Sequence, residues 1–261
     1  MHRSNGRAAG MRGFTLIELS VVVLVITLLL GSLLIPLATQ VEQRNVSETQ
    51  KRLQEVKEAL IGYAMANGRF PCPAGTIAGE KGIEKFAAGG SAADGNCSNF
   101  FDGYVPGITL GLSNIDGDGF VVDAWGLQQN RVRYAISKTT VGGSTNPFTK
   151  TGGMQAAGIA NLGQPTINLI FVCAASPGTG IQANCNGAQI LASDAVFVVY
   201  SLGKNAATSG GTSADEAANL NDDPVFVSRV NSQKDVEFDD LMLWSSRYNI
   251  ISQLTASGQL P

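Results

Sequence analysis

From Leu19 to Val41 the chain runs 23 residues without a charged side chain. At about 1.5 Å of rise per residue such a helix spans a hydrocarbon core of roughly 30 Å, so the pattern predicts a membrane-embedded helix. Beyond Val41 the apolar positions become periodic. Val46, Leu53, Val56, Leu60 and Tyr63 are spaced seven, three, four and three apart, which places them on one helical face. Glu48 and Arg52 form an acid-before-base pair at i, i+4. Asn67-Gly68 followed by Pro71 is a stop signal. The pattern therefore predicts one helix over 14–67. Its first half, 14–40, is apolar all round, and its second half, 41–67, offers a stripe for a sheet to pack on.

After the helix, 68–103 reads as a connecting loop rich in Gly and Ala. Strand-like runs follow at Gly107–Leu112, Gly119–Val122, Arg131–Ser137, Thr166–Cys173, Ala195–Leu202, Val225–Val230 and Asp235–Trp244. Segments 139–165 and 203–223 are rich in Gly, Thr, Ser and Asn and read as loops. Asn249–Ser257 reads as a short terminal helix with Gly258 as its stop. There is no internal repeat. The expectation is an α+β fold with one antiparallel-sheet head over 68–261.

Arg3, Arg7 and Arg12 precede the apolar run, whereas Glu42 and Arg44 follow it. The positive-inside rule then leaves the N-terminus in the cytoplasm and the head outside. The first 13 residues lack the apolar core and small-residue cleavage site of a secretory signal peptide. Glu18 stands out, because an ionised carboxylate within a membrane helix costs about 2.5–3.5 kcal/mol at the centre and less near an end. A helix needed only as an anchor has no use for it, which points to a second environment holding a positive partner.

Gly13-Phe14-Thr15-Leu16-Ile17-Glu18 resembles the N-terminal signal of type IV pilins and type II secretion pseudopilins. The resemblance implies that residues 1–13 are a leader, cut between Gly13 and Phe14 by a prepilin peptidase, with N-methylation of the new Phe14 amine. It implies that Phe14 and Glu18 act in assembly, Glu18 meeting the Phe14 ammonium of a neighbouring subunit. Implied partners are other pilin-like subunits, an inner-membrane assembly platform and the membrane itself. The implied localisation is the bacterial inner membrane, single-pass with a periplasmic head, and later a pilus or pseudopilus fibre. Asp123-Ala124-Trp125-Gly126 with Arg131-Val132-Arg133-Tyr134 is similar to the Asp-Pro-Trp-Gly…Tyr stretch of major pseudopilins, without the Pro. Phe70–Ala74 and Phe238–Trp244 resemble stretches of other prepilin-like proteins that carry little established function. The large head leans toward a minor or tip subunit.

Leader removal lowers Lys plus Arg from 18 to 15 against 21 acidic residues, a charge of about −6, which argues against a basic nucleic-acid surface. The only histidine is His2, inside the leader, so the mature chain has no His for triads or metal ligation. The expectation is a structural protein, not an enzyme, with no required cofactor. Ser201 and Lys204 lie at a strand exit and do not make a catalytic pair. Gly142-Gly143 and Gly210-Gly211 lack the Lys-Ser/Thr and helix of a phosphate loop.

Four cysteines in an oxidising compartment favour two disulfides, with three connectivities open. Cys72–Cys97 and Cys173–Cys185 are favoured because each pair brackets one Gly-rich loop. No pair has zinc-ligand spacing. Asp116, Asp118 and Asp123 form an oxygen-rich turn that can face Ca²⁺ but also reads as an Asp-Gly hairpin. A second acidic group holds Asp215, Glu216, Asp222 and Asp223, with Asp239 and Asp240 further on. Major pseudopilins bind calcium in a late loop, and by position 215–223 is its counterpart. The rival function is thus a calcium-dependent binding or adhesin module at a pilus tip.

Overall fold

The computed structural model describes residues 13–126, 128–207, 213–229 and 238–260, with the side chains of 30–38 and Gln128 excepted. The leader residues 1–12, Gly210-Gly211, Val230 and 235–237 lie outside the described residues. The chain divides into two compact units, Met1–Arg44 and Asn45–Pro261. Helix α1 (Leu16–Asn67) passes through both and is 52 residues long.

In the first unit α1 exposes its apolar side chains. Leu16, Ile17, Leu19, Val21 to Ile26, Leu28 and Leu29 are all at least 46 % exposed. No helix among the described residues is long and apolar enough to cross a membrane. This overturns the expected membrane-embedded helix and, with it, the single-pass inner-membrane placement. Polar groups interrupt the start of α1: Glu18 sits in the first turn, and the Ser20 and Thr27 hydroxyls donate back to the Ile17 and Val23 carbonyls.

In the second unit the amphipathic half of α1 supplies the core. Leu53, Val56, Leu60 and Ala64 are buried at helical spacing, with Val46 and Ile61 packed beside them. They meet Phe70 from the loop that follows and Tyr134, Phe197 and Val199 from the sheet. Tyr63 lies at the edge of this stripe, where its hydroxyl accepts from Arg69, which also forks onto Glu84. The helix ends at Gly68, whose φ of 66° takes the left-handed conformation and whose N–H donates to Ala64.

Besides a 3-10 turn at Gln128–Asn130, the elements that follow are β1 (Gly103–Tyr104), α2 (Gly107–Leu110), β2 (Arg133–Ile136), β3 (Thr140–Val141), β4 (Ser144–Thr145), α3 (Gly153–Ala157) and α4 (Ile159–Leu162). They continue with β5 (Ile170–Cys173), β6 (Ile190–Ser201), α5 (Ala214–Ala218), β7 (Val225–Val227), β8 (Leu241–Ser246) and α6 (Arg247–Ala256). The main sheet has the order β1-β2-β6-β5-β7, with β8 also on β6. β6 is its spine: β2, β5 and β8 all pair antiparallel to it. β5 and β7 run parallel, so the sheet is mixed rather than antiparallel as expected.

Two expected strands do not form. Gly107–Leu112 turns into α2, stopped by Gly111 at φ 68°, whose N–H reaches back to Gly107 and Ile108. Gly119–Val122 makes only single bridges, Val121 to Ile115 and Val122 to Arg131. The loop at 139–165 holds β3, β4, α3 and α4, and that at 203–223 holds α5. α3 sits between two glycines of positive φ, Gly152 and Gly158, whereas α5 starts at a Ser213 cap. Disulfides join Cys72 to Cys97 and Cys173 to Cys185.

Candidate functional site

Two places gather the residues that the sequence singled out. The first is the start of α1. Gly13 and Phe14 precede the helix, with Phe14 86 % exposed. Thr15 and Glu18 form a capping box, with Thr15 just before the first helical residue. The Thr15 N–H and hydroxyl each donate to Glu18 Oε2 at 3.0 Å, and the Glu18 N–H donates to Thr15 Oγ1 at 3.3 Å. These bonds favour the ionised form and hold the Glu18 carboxyl below its usual pKa. Glu18 therefore has a local partner at the helix start, a role the sequence argument had not assigned.

The Asp116–Asp118–Asp123 turn does not converge. Arg131 pairs with Asp116 and Asp118, and Lys81 also pairs with Asp118. Asp116 Oδ1 additionally accepts from the N–H groups of Asp118 and Phe120, which closes the hairpin. Asp123 turns inward and is fully buried. Its Oδ1 accepts from the N–H groups of Trp125 and Gly126, and its Oδ2 from Asn130 and the Ser201 hydroxyl. Ser201 is thus engaged with an aspartate. Lys204 meets Asp239 through its backbone N–H at 2.7 Å.

The late acidic group divides. Asp215 accepts from the Ser176 N–H at 2.6 Å and pairs with Arg229 at 3.0 Å. Asp223 accepts from the N–H groups of Gln182 and Val225. Asp222 sits at a turn with φ 57°. Glu216 alone of the four joins Asp239 and Asp240. One carboxylate oxygen of each lies within 4.8 Å of the others.

Chain geometry explains this convergence. Ser213 caps α5 and Glu216 closes the capping box, so the carboxylate is fixed on the first turn. Its Oε1 accepts from Asn205 Nδ2 at 2.9 Å and from the Asp239 N–H at 3.2 Å. Asp239 Oδ2 accepts from the N–H groups of Lys204 and Asn205, and Asp240 Oδ2 accepts from Asn219 at 2.7 Å. Gly203 must be Gly here, since a Cβ would lie 2.5 Å from the Asp239 carboxyl carbon and the backbone φ is 65°. Asp239 Oδ1 and Asn205 Oδ1 are buried with no hydrogen-bond partner among the described residues. Burial pushes the Asp240 carboxyl up to about 8 and that of Asp239 to about 6, with Glu216 adding repulsion to both.

The donors at this cluster are oxygens only, the chemistry preferred by a hard divalent cation such as Ca²⁺. Glu216, Asp239 and Asp240 are the groups that would hold it. Sequence reasoning placed Glu216 in a calcium site and noted Asp239 and Asp240 beyond it without assigning them as ligands. The adjacent acid pair ahead of an apolar strand, Phe238-Asp239-Asp240-Leu241, was the available signal.

Comparison of the chain with protein-family models, with curated proteins and with solved structures gives no match.

Proposed function

We propose that this chain is a pilin-like structural subunit of a type II secretion pseudopilus or type IV pilus, cut between Gly13 and Phe14 and assembling through its N-terminal helix. The observation that carries this reading is the first unit of α1. Apolar side chains from Phe14 to Leu29 stand in the open, and the only carboxylate among them is Glu18 at the first turn. A continuous apolar surface of that kind calls for cover by other protein, and identical helices laid side by side supply it. Glu18 then exchanges its bonds to Thr15 for the ammonium of a neighbour. The role is mechanical, with no catalytic step. Other pilin-like subunits and a prepilin peptidase are its partners. The experiment is Glu18→Ala in the full chain: cleavage stays normal while incorporation into fibres falls severalfold. Normal incorporation of that variant overturns the reading.

A second reading, a calcium-dependent binding module, is favoured by the Glu216–Asp239–Asp240 cluster with its two orphaned buried oxygens. Titration calorimetry of the full chain with Ca²⁺ tests it. Saturable heat that disappears in Glu216→Gln supports this reading, and the absence of heat in the parent rejects it.

A further inference from the structure

The acids that the cluster leaves out are not idle. Asp215 and Asp223 stand at the two ends of the segment that carries Glu216, and both reach the same loop. That loop lies between Cys173 and Cys185, 12 residues apart in sequence. The Ser176 N–H donates to Asp215 Oδ1 and the Gln182 N–H to Asp223 Oδ2, each at 2.6 Å. Between them Asn221 Nδ2 reaches the Gly180 carbonyl at 3.4 Å. Bonds from neutral donors to carboxylates are the stronger kind, and these two fix both ends of the segment.

Apolar support beneath the segment comes from Leu220, packed against the cluster of Tyr200 and Phe226, and from two small clusters. The disulfide packs in a cluster of three buried residues, Cys173, Cys185 and Val225. Ala218 belongs to another cluster of three, with Val227 and Phe238. Neither is part of the large core under α1. Segments with few buried apolar contacts open separately from the rest of a fold. Asn219 is the inner pivot: it donates to Val227 and Asp240, and its carbonyl accepts from the buried Tyr200 hydroxyl. Meanwhile Glu216 is fully buried and Asp240 is 4 % exposed. While the segment is closed, Asp239 is the half-buried member that solvent reaches, and an ion gains Glu216 and Asp240 only slowly behind it.

We propose that the Cys173–Cys185 loop is a strap over the segment Ser213–Asp223, and that release of the strap opens Glu216 to cations. The strap stands on the contacts above, whereas the cation step rests on the calcium reading. Asp215 and Asp223 are accordingly positioning residues of the strap and not ligands.

The test is native-state hydrogen exchange on the full chain, comparing the Cys173→Ala/Cys185→Ala and Cys72→Ala/Cys97→Ala variants. A disulfide over so short a loop is worth a few kcal/mol in the chain-entropy account. The expected result is a rise of about 100-fold in exchange at the Ala217 and Leu220 amides in the first variant, with Val199 in β6 unchanged. The second variant leaves Ala217 and Leu220 as they were. Unchanged exchange at Ala217, or an equal rise at Val199, overturns the strap. Asp223→Ala keeps the disulfide and repeats the test if the cysteine variant does not fold. Stopped-flow mixing with Ca²⁺ alone reads the second half: faster uptake in the strap variants supports the gate. Raised exchange with no Ca²⁺ uptake in any variant overturns the gate and the calcium reading while the strap holds.

Discussion

Hydrogen-bond donors replace part of the water that a buried aspartate loses. Asp123 has four such donors, from Trp125, Gly126, Asn130 and Ser201. Through Asp123 and its neighbours the sheet also grips α1: Arg52 donates to the Val122 and Asp123 carbonyls, and the Ala124 N–H donates to Thr49. Asp123→Ala strands buried donors and should lower stability by about 3 kcal/mol, read from urea unfolding. Burial nonetheless pushes the Asp123 carboxyl up, and Asp240, with the Asn219 amide as its donor, shifts the same way. Its folded pKa of about 8 lies above the ordinary carboxylate value, so the folded chain holds a proton that the unfolded chain has lost. Its contribution is complete below about pH 4 and declines as the pH rises through 8, with Asp239 adding to the fall up to about 6. The melting temperature should drop across that window, and Asp240→Asn should flatten the slope. At the helix start, Thr15→Val removes the hydroxyl that holds Glu18 while keeping the shape of the side chain. It should cost helix α1 about 1 kcal/mol at its first turn, read as greater fraying in amide exchange.

At the level of elements, the two halves of α1 differ in what surrounds them. The stripe from Leu53 to Ala64 is legible in sequence because burial on one face leaves a period. Leu60 is fully buried, and Leu60→Ala should cost about 2–5 kcal/mol in unfolding experiments. Lys57→Ala, one turn away, should change little. Among strands, β6 was readable because both faces are buried from Ala195 onward and the run is apolar throughout. Its first five residues, Ile190 to Asp194, were missed because they extend past the core and carry no such pattern. The short elements α2, α3, α4 and α5 were not readable. Each depends on a cap or a glycine in the left-handed region, which a window of hydropathy does not register.

For the whole molecule, the apolar first unit and the compact second unit imply different tests. Intact-mass analysis should show loss of residues 1–13, gain of one methyl, and gain of four hydrogens on reduction of the two disulfides. A mass that keeps the leader, in cells with an active prepilin peptidase, would remove the assembly proposal. The sequence by itself determined the amphipathic half of α1, an α+β head and the main strands, because these follow from local periodicity and turn residues. It did not determine the setting of the first unit: a charge-free run of 23 residues read as a membrane span, while no helix among the described residues is long and apolar enough to cross one. Only the tertiary structure decided which acids meet. Asp116 and Asp118 found Arg131, Asp123 turned into the core, and Asp215 and Asp223 took loop N–H groups. Glu216 met two aspartates more than twenty residues away. A carboxylate's partner is set by which chain segments the fold brings within a few ångströms, and composition along the chain carries no record of that.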